Sequence, residues 1–532
     1  MRVPAISVAF SLLFVSIHAF SFPSFLGAQK PIKTSKRVAV IGGGAAGSSA
    51  AYHIQRFAQR AGLDVDITIF ERNHYLGGRS TTVHAYDDPR FPIELGASIF
   101  VEQNQILVDA CTEFNLSTSG AGDERPRDDR PTLGVWDGAK FVYTQYGTIW
   151  DLPRLLWRYG YAPIKTRKLV QKTVNRFLKM YEEPFFPWSS LSDVALLLGL
   201  TQATAATGIE FLEKNGVGGL FAKEIVQAST RVNYAQELNE IHGLETMVSM
   251  APEGAMAVEG GNWQMFAHMA KTASSDVRLN VTVSAIERRE KSGFGITSSP
   301  TISSLGDTVD SYGVKSATES FDTVILAAPY QFANVSILPA PESIPSEIPW
   351  VKLHVTLFTS PRLLHGRAFG IDSDAEVPTT ILTTVPSDPS THSKPAFFSI
   401  STLRAVNNTA FSPPRTEYMY KIFSHESVNP AFLAEIFDLP TPAAGHELSR
   451  DDISWMYRKV WHSYPYGLPR VTFEELKLDE GLWYTSGMES FISTMETNAL
   501  MGKNIARLLI DEWTGSGQKK GEVEQKPLKE IL

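Results

Sequence analysis

Six residues, Gly42-Gly43-Gly44-Ala45-Ala46-Gly47, limit most strongly what this chain can fold into. They follow an apolar, β-branched run, Arg37-Val38-Ala39-Val40-Ile41, of the kind buried on both faces in a parallel sheet. Gly42 permits a tight turn, Gly44 lets the backbone approach a pyrophosphate, and Gly47 lets the following helix lie against the sheet. The helix expected over residues 45–60 aims the amides of Ala45 and Ala46, and its positive dipole end, at phosphates. Residues 64–70 form a second strand. Glu71, with Arg72 behind it, lies about 24 residues beyond Gly47, near the roughly 20 expected for a carboxylate that grips a ribose hydroxyl. Together these features predict a dinucleotide site in a Rossmann-like domain.

The next stretch selects the dinucleotide. Leu76-Gly77-Gly78-Arg79-Ser80-Thr81 adds a second flexible glycine pair, ending at Gly78, and a fixed cation, Arg79, near the same diphosphate. An ordinary glycine turn with a surface arginine is the plainer alternative. The pattern resembles the FAD oxidases of the amine-oxidase and glutathione-reductase-like superfamily. The expected cofactor is therefore FAD, and the expected fold class is α/β, or α+β overall, with a Rossmann-like FAD-binding domain interleaved with a substrate domain.

At 532 residues the chain suits two or three domains, and with 43% hydrophobic and 20% charged residues it is globular. A net charge of -8 gives no reason to expect nucleic acid. A single cysteine, Cys111, permits neither an intramolecular disulfide nor a redox dithiol, which excludes a disulfide reductase; it is expected to pack as a small core residue. The twelve histidines show no metal-ligand spacing, and no metal is expected.

The N-terminus reads as an export signal over residues 1–28, with Arg2 as the positive start, an apolar run over 5–20, and Ala19 or Ala28 as a small residue before cleavage. An uncleaved anchor is the alternative. Sequons at Asn115, Asn280, Asn334 and Asn407 fit a secretory route to the lysosome, the vacuole or the outside, with N-glycosylation. An apolar substrate domain is also compatible with peripheral membrane contact.

Composition shifts divide the chain into FAD-domain pieces at 36–110, 256–345 and 471–513, and substrate-domain pieces at 111–255 and 346–470, with a polar tail over 514–532. In the first substrate piece Trp150, Trp157, Tyr159, Tyr161, Phe177, Tyr181, Phe185, Phe186 and Trp188 either line a pocket for a long apolar substrate or form the core of a helical domain. One strand is expected over 277–286 and another over 321–328, separated by a Ser/Gly/Thr-rich surface loop or hairpin over 290–319. Alternation at Val351, Leu353, Val355 and Leu357 opens the second substrate piece. Leu482 to Glu489 reads as a strand ending in a glycine turn at Gly487 and an acid, Glu489; Ser493 or Thr494 then caps a helix beginning near Met495 and running to about Trp513.

Two further stretches, Arg231-Val232-Asn233-Tyr234-Ala235-Gln236 and Val258-Glu259-Gly260-Gly261-Asn262, make the chain resemble the prenylcysteine oxidase family, also called the prenylcysteine lyase family. The likeness in layout runs from residue 37 to 513, with one departure: the family usually has Gly where Ala235 stands. The resemblance implies that Gly96 passes near the flavin ring, that Val283 lies on the strand at the adenine, and that the helix from Met495 points at the electron-rich edge of the flavin. It implies oxidative cleavage of a farnesyl- or geranylgeranylcysteine thioether to a prenyl aldehyde, cysteine and hydrogen peroxide, with molecular oxygen as acceptor. No catalytic triad is then needed, because the flavin carries the chemistry. Arg231, with Asn233 and Tyr234, is the candidate for the substrate's cysteine end, a surface salt bridge being the plainer role for Arg231; His462 is the candidate polar group that faces the flavin or handles water, against a surface or packing histidine. The competing functions are another FAD oxidase acting on amines or polyene lipids, and a secreted lipid-binding flavoprotein with little turnover.

Overall fold

A computed structural model describes residues 35–120, 130–273, 276–290, 292–301, 316–386 and 394–516. The expected export segment, residues 291 and 302–315 of the Ser/Gly/Thr-rich stretch and the tail from residue 517 lie outside the described residues.

The β-branched run becomes a central strand, Lys36–Ile41, in a six-stranded sheet. Val65–Phe70 and Thr323–Leu326 flank it in parallel, with Ile41 level with both Phe70 and Leu326. Asp276–Arg278 and Leu482–Tyr484 extend the sheet in parallel, and Lys477–Asp479 closes the far edge antiparallel. The strands come from three separated stretches of chain. Helices Ala45–Ala61, Trp263–Ala273 and Met495–Thr514 cover one face, where Val38 and Val40 pack with Ala50, Ile54, Phe266 and Met501. Gly502 makes that layer tight, since a Cβ there would meet the Ala46 carbonyl oxygen at 2.3 Å. A four-stranded sheet containing Val281–Arg288 and Phe294–Pro300 covers the other face, around Ile41, Val283, Ile286 and Phe294.

Two expected strands prove to be divided. Residues 277–286 split at Asn280, whose φ of 56° turns the chain from the six-stranded sheet into the four-stranded one. Residues 321–328 split at Asp322, whose amide donates to the Arg37 carbonyl as the chain crosses from Ala317–Phe321 to Thr323–Leu326. Each crossing serves two sheets that share one core, which an alternating pattern in a single strand does not record.

The second large sheet has seven strands, in the order Trp455–Pro465, Trp350–Ser360, Arg415–Ser424, Phe397–Asn408, Thr380–Thr383, Leu133–Trp136 and Phe141–Gln145. Its alternation produces two cores. Val351, Leu353, Val355 and Leu357 bury on one side, and Phe358, Ile400, Tyr420 and Ile422 on the other. Helices from residues 151–249 complete this part. There Tyr159, Phe177, Tyr181 and Trp188 are core residues, and Trp150, Trp157 and Tyr161 are exposed. Cys111 is buried, and desolvation pushes its thiol up to about 11, as suits a packing residue.

Candidate functional site

The three glycines of the first loop do three different jobs. Gly42 has φ +110°, and a Cβ on it would lie 2.6 Å from the Ala327 carbonyl oxygen; a Cβ on Gly47 would lie 1.9 Å from the Gly42 oxygen. These two residues let turn, helix and sheet come together, and Gly47 itself sits behind the cavity wall. A Cβ on Gly44 would meet nothing nearer than the Gly78 Cα at 3.8 Å, so it would project into the cavity that Gly42, Gly44, Ala45 and Ala46 line. The second glycine loop lies alongside, its Gly77 amide donating to the Gly43 carbonyl at 2.9 Å. Gly44 caps the helix without a side-chain bond, leaving its N-terminal amides to the cavity. Glu71 is held at the wall by the Gly43 amide on Oε2 and the Asn73 amide on Oε1, both at 2.8 Å. Arg72, anchored on the Phe332 carbonyl, and Val283 continue the same wall.

A second helix end faces this cavity. Thr494 caps Met495–Thr514 in a box with Thr497, and Ser493, Thr494 and Met495 all line the cavity. Glu489, 2% exposed, accepts from Arg79 and, at 2.5 Å, from Ser493 Oγ, which ties the second glycine loop to the C-terminal helix. Arg79 also donates to the Ser463 carbonyl at 2.6 Å and lies over the Trp350 ring. Gly487 requires a correction. It does not line the cavity; it lies in the turn Ser486–Ser490, where a Cβ would press on the Glu474 carbonyl oxygen at 3.1 Å, so closeness of two backbones accounts for it.

The cavity measures about 2510 Å³, against the roughly 300–1,000 Å³ of an ordinary ligand pocket. Beyond Gly96, where a Cβ would meet the Trp461 ring at 3.0 Å, it widens between the seven-stranded sheet and the helices, where Leu133, Val135, Leu155, Val170, Phe177 and Ile225 make an apolar chamber. Asn233, Tyr234 and His462 line it; His462 is exposed and stacks on Phe332 at 4.8 Å.

Arg231 is the second correction. It is fully buried, ion-paired with Glu237, bonded to Thr383 Oγ1 and the Phe397 carbonyl, and placed over Phe398. Its charge is spent inside the fold, and it does not reach the cavity. Ala235, where the family usually has Gly, ends the same helix with φ 55°, the left-handed conformation that favours glycine.

The sequence reading missed Glu94 and Lys421. The Lys421 Nζ donates to the Glu94 carbonyl oxygen and to Ser98 Oγ, each at 2.7 Å. Glu94 Oε1 accepts from the Asn262 amide, and Oε2 is buried without a partner on the cavity wall. Desolvation pushes Glu94 up and Lys421 down, and each one's charge opposes the other's shift. The signal present in the sequence was an acid inside an apolar strand, residues 91–98.

The wall fits a flavin dinucleotide. Two glycine loops leave space that Cβ atoms would fill, two helix N-termini converge, and the cavity-lining atoms Ser80 Oγ, Glu94 Oε2, Trp461 Nε1 and Ser463 Oγ are buried without protein partners. Solved structures share the architecture: cyclohexylamine oxidase from Brevibacterium oxydans covers 90% of this chain and 100% of its own at 16% identity and TM-score 0.53, and putrescine oxidase bound to putrescine covers 90% and 99% at 14% and 0.52. Fold and site, with the family match and relatives given next, define an FAD-dependent oxidoreductase.

Residues 40–114 match the NAD(P)-binding Rossmann-like domain, and residues 143–522 match the family described as Prenylcysteine lyase. The chain belongs to the prenylcysteine lyase family. Among curated relatives, farnesylcysteine lyase of Arabidopsis thaliana is 29% identical over 96% of this chain and 94% of its own, and human prenylcysteine oxidase 1 is 26% identical over 90% of each.

Proposed function

We propose that this chain cleaves the thioether of farnesyl- or geranylgeranylcysteine oxidatively. The observation that carries the reading is the continuity of the dinucleotide cradle with an apolar chamber in one cavity of about 2510 Å³, large enough for a cofactor and a long isoprenoid together. Similarity to farnesylcysteine lyase and prenylcysteine oxidase 1 over 96% and 90% of this chain supports the substrate class.

The proposed reaction balances as prenyl-CH₂-S-cysteine plus water and oxygen giving prenyl aldehyde, cysteine and hydrogen peroxide. Bound FAD supplies a two-electron acceptor for hydride from the carbon beside sulfur, with oxygen as the final oxidant. The chain's residues position and desolvate. The apolar chamber orders the isoprenoid and excludes bulk water. Water is needed at one carbon, and we assign its proton to Glu94, whose Oε2 is buried on the cavity wall without a protein partner. The N-terminus at Met495 and the Arg79–Glu489 pair hold the charge balance at the cofactor end.

Anaerobic mixing of the purified holoenzyme with farnesylcysteine tests the reading. Rapid bleaching of the flavin band near ~450 nm, with farnesal and cysteine appearing once air is admitted, is expected. A band left unbleached by prenylcysteines and bleached by amines or polyenes overturns it, and a band unmoved by any of them favours a lipid-binding role. Glu94→Gln is expected to retain flavin and lose about 10²-fold in kcat.

The same proposal places the protein in the secretory route, ending in lysosome, vacuole or outside. The asparagines of all four sequons, Asn115, Asn280, Asn334 and Asn407, are exposed, which supports glycosylation. A mobility shift on glycosidase treatment of the natural protein checks it. Peripheral membrane contact belongs to the proposal as well.

A further inference from the structure

One face beside the cavity takes no part in the cofactor chemistry. Ile149 is 85% exposed, Trp150 62%, Leu152 58%, Trp157 93% and Tyr161 76%. They belong to the helix Asp151–Tyr159 and its two flanks. Aromatic side chains each carry about 150–250 Å² of surface, so the two tryptophans alone bring the patch to a size that marks an interaction site.

The exposure is built into the fold. Asp151 accepts the Tyr146 and Thr148 amides, at 3.1 and 2.9 Å, which pins the turn presenting Ile149 and Trp150 outward. On the inner side Glu224 accepts from Arg158 and from the Tyr159 hydroxyl at 2.6 Å, and Tyr159 packs edge-on against Phe221. The helix is held by one face while Pro153 and Trp157, one turn apart, share the outer one.

Charge then identifies the occupant. Between residues 141 and 180 there are eight Lys and Arg against one acid, Asp151, in a chain whose net charge is -8. Asp151, Glu224 and Glu253 offset Arg154, Arg158 and Arg167, while exposed Lys165, Lys168 and Lys172 meet no acid within that stretch. An aromatic and apolar helix face bordered by cations is the composition of an element that lies in a lipid interface. A second copy of the chain fits poorly, because a two-fold contact would set these cations against themselves. No described helix is long and apolar enough to cross a membrane.

We propose that Ile149, Trp150, Leu152, Trp157 and Tyr161, with the cations of the helix Ala162–Leu178, form a docking surface for an anionic lipid bilayer. Leu152, Leu155 and Ile164 also line the cavity, so patch and chamber are two sides of one helical wall. A prenyl chain entering there passes from lipid to chamber without crossing water; this last point rests on the thioether reading, and the docking surface does not.

The test uses the full-chain holoenzyme and extruded vesicles, with no substrate. Cosedimentation with phosphatidylcholine vesicles containing phosphatidylserine is expected, weakening with salt and weaker still on phosphatidylcholine alone. Trp150→Ser/Trp157→Ser is expected to lower the partition coefficient about tenfold or more, and Lys165→Gln/Lys168→Gln/Lys172→Gln to weaken its salt dependence. Brominated acyl chains report the patch directly, whatever residues 1–34 contribute: they quench tryptophan fluorescence in the wild type and less in the double variant. Unchanged flavin content and unchanged turnover of monomeric prenylcysteine show that the double variant is folded. Equal quenching in both proteins overturns the proposal, and so does a wild-type dimer that the double variant abolishes without any vesicle binding. Because binding is read without turnover, its failure is distinct from failure of the thioether reading.

Discussion

Gly44 and Gly47 belong to one motif, yet only one of them touches the space a cofactor fills. A Cβ at Gly44 enters the cavity with its nearest protein atom at 3.8 Å, while a Cβ at Gly47 would collide with the Gly42 oxygen at 1.9 Å. Gly44→Ala is therefore expected to leave the melting temperature of the flavin-free protein nearly unchanged and to weaken FAD about tenfold, or about 1.4 kcal/mol. Gly47→Ala is expected to cost about 1–3 kcal/mol in the flavin-free protein as well. Calorimetry on both forms, with flavin release followed by fluorescence, separates them. At Ala235 the sign reverses. Its left-handed backbone costs an alanine about 1–2 kcal/mol, partly offset by the greater chain freedom of glycine, so Ala235→Gly is expected to stabilise by about 0.5–1 kcal/mol in chemical denaturation. Residue identities legible in the motif thus carried their roles, whereas Arg231 did not. A guanidinium suits a carboxylate, and no sequence pattern says whether that carboxylate belongs to a ligand or to Glu237.

Among the elements, the C-terminal helix Met495–Thr514 has the clearest boundaries, because its capping chemistry is local. Thr494 accepts from the Thr497 amide at 3.2 Å, and Thr497 Oγ1 accepts the Thr494 amide in return. Thr494→Ala is expected to lower stability by about 1 kcal/mol, with Thr494→Ser close to wild type, in urea unfolding followed by circular dichroism. Local signals also located the helices Ala45–Ala61 and Trp263–Ala273. They failed at Asn280 and Asp322, where a strand-like run is shared between two sheets. They failed again in the helix Asp151–Tyr159, whose tryptophan faces outward, because an aromatic residue reads alike on a core face and on an interfacial one.

Beyond Glu94 and Lys421, four titratable groups shape how the whole molecule responds to pH: Glu245, Glu496 and His242, fully buried, and His53, half-buried. Desolvation raises Glu245 to about 8 and Glu496 to about 7, and lowers His53 to about 3 and His242 to about 4. Between pH 4.5 and 8 the folded carboxyls hold protons that the unfolded chain has released, so their contribution falls as pH rises. Between pH 6.5 and about 3 the unfolded histidines bind protons that the folded ones refuse, so theirs falls as pH drops. The two trends oppose each other from about 4.5 to 6.5 and leave a single limb on either side. Thermal unfolding of the holoenzyme is expected to show a plateau across that acidic window and a decline from pH 6.5 to 8, made shallower by Glu245→Gln. A rising melting temperature over pH 6.5–8 would contradict this assignment.

The sequence by itself determined the dinucleotide fold and the cofactor class, because a strand, a glycine turn, a helix and a terminal acid are set by backbone sterics and short-range hydrogen bonds within some forty residues, and two short stretches, residues 231–236 and 258–262, carried the family. Tertiary structure alone decided which charges are spent and which face the ligand. Glu94 from the glycine-loop domain meets Lys421 from the seven-stranded sheet, more than three hundred residues away, while Arg231 is neutralised out of reach of the cavity. It also decided that the aromatic face at Trp157 looks outward, since burial is a property of what the rest of the chain leaves uncovered.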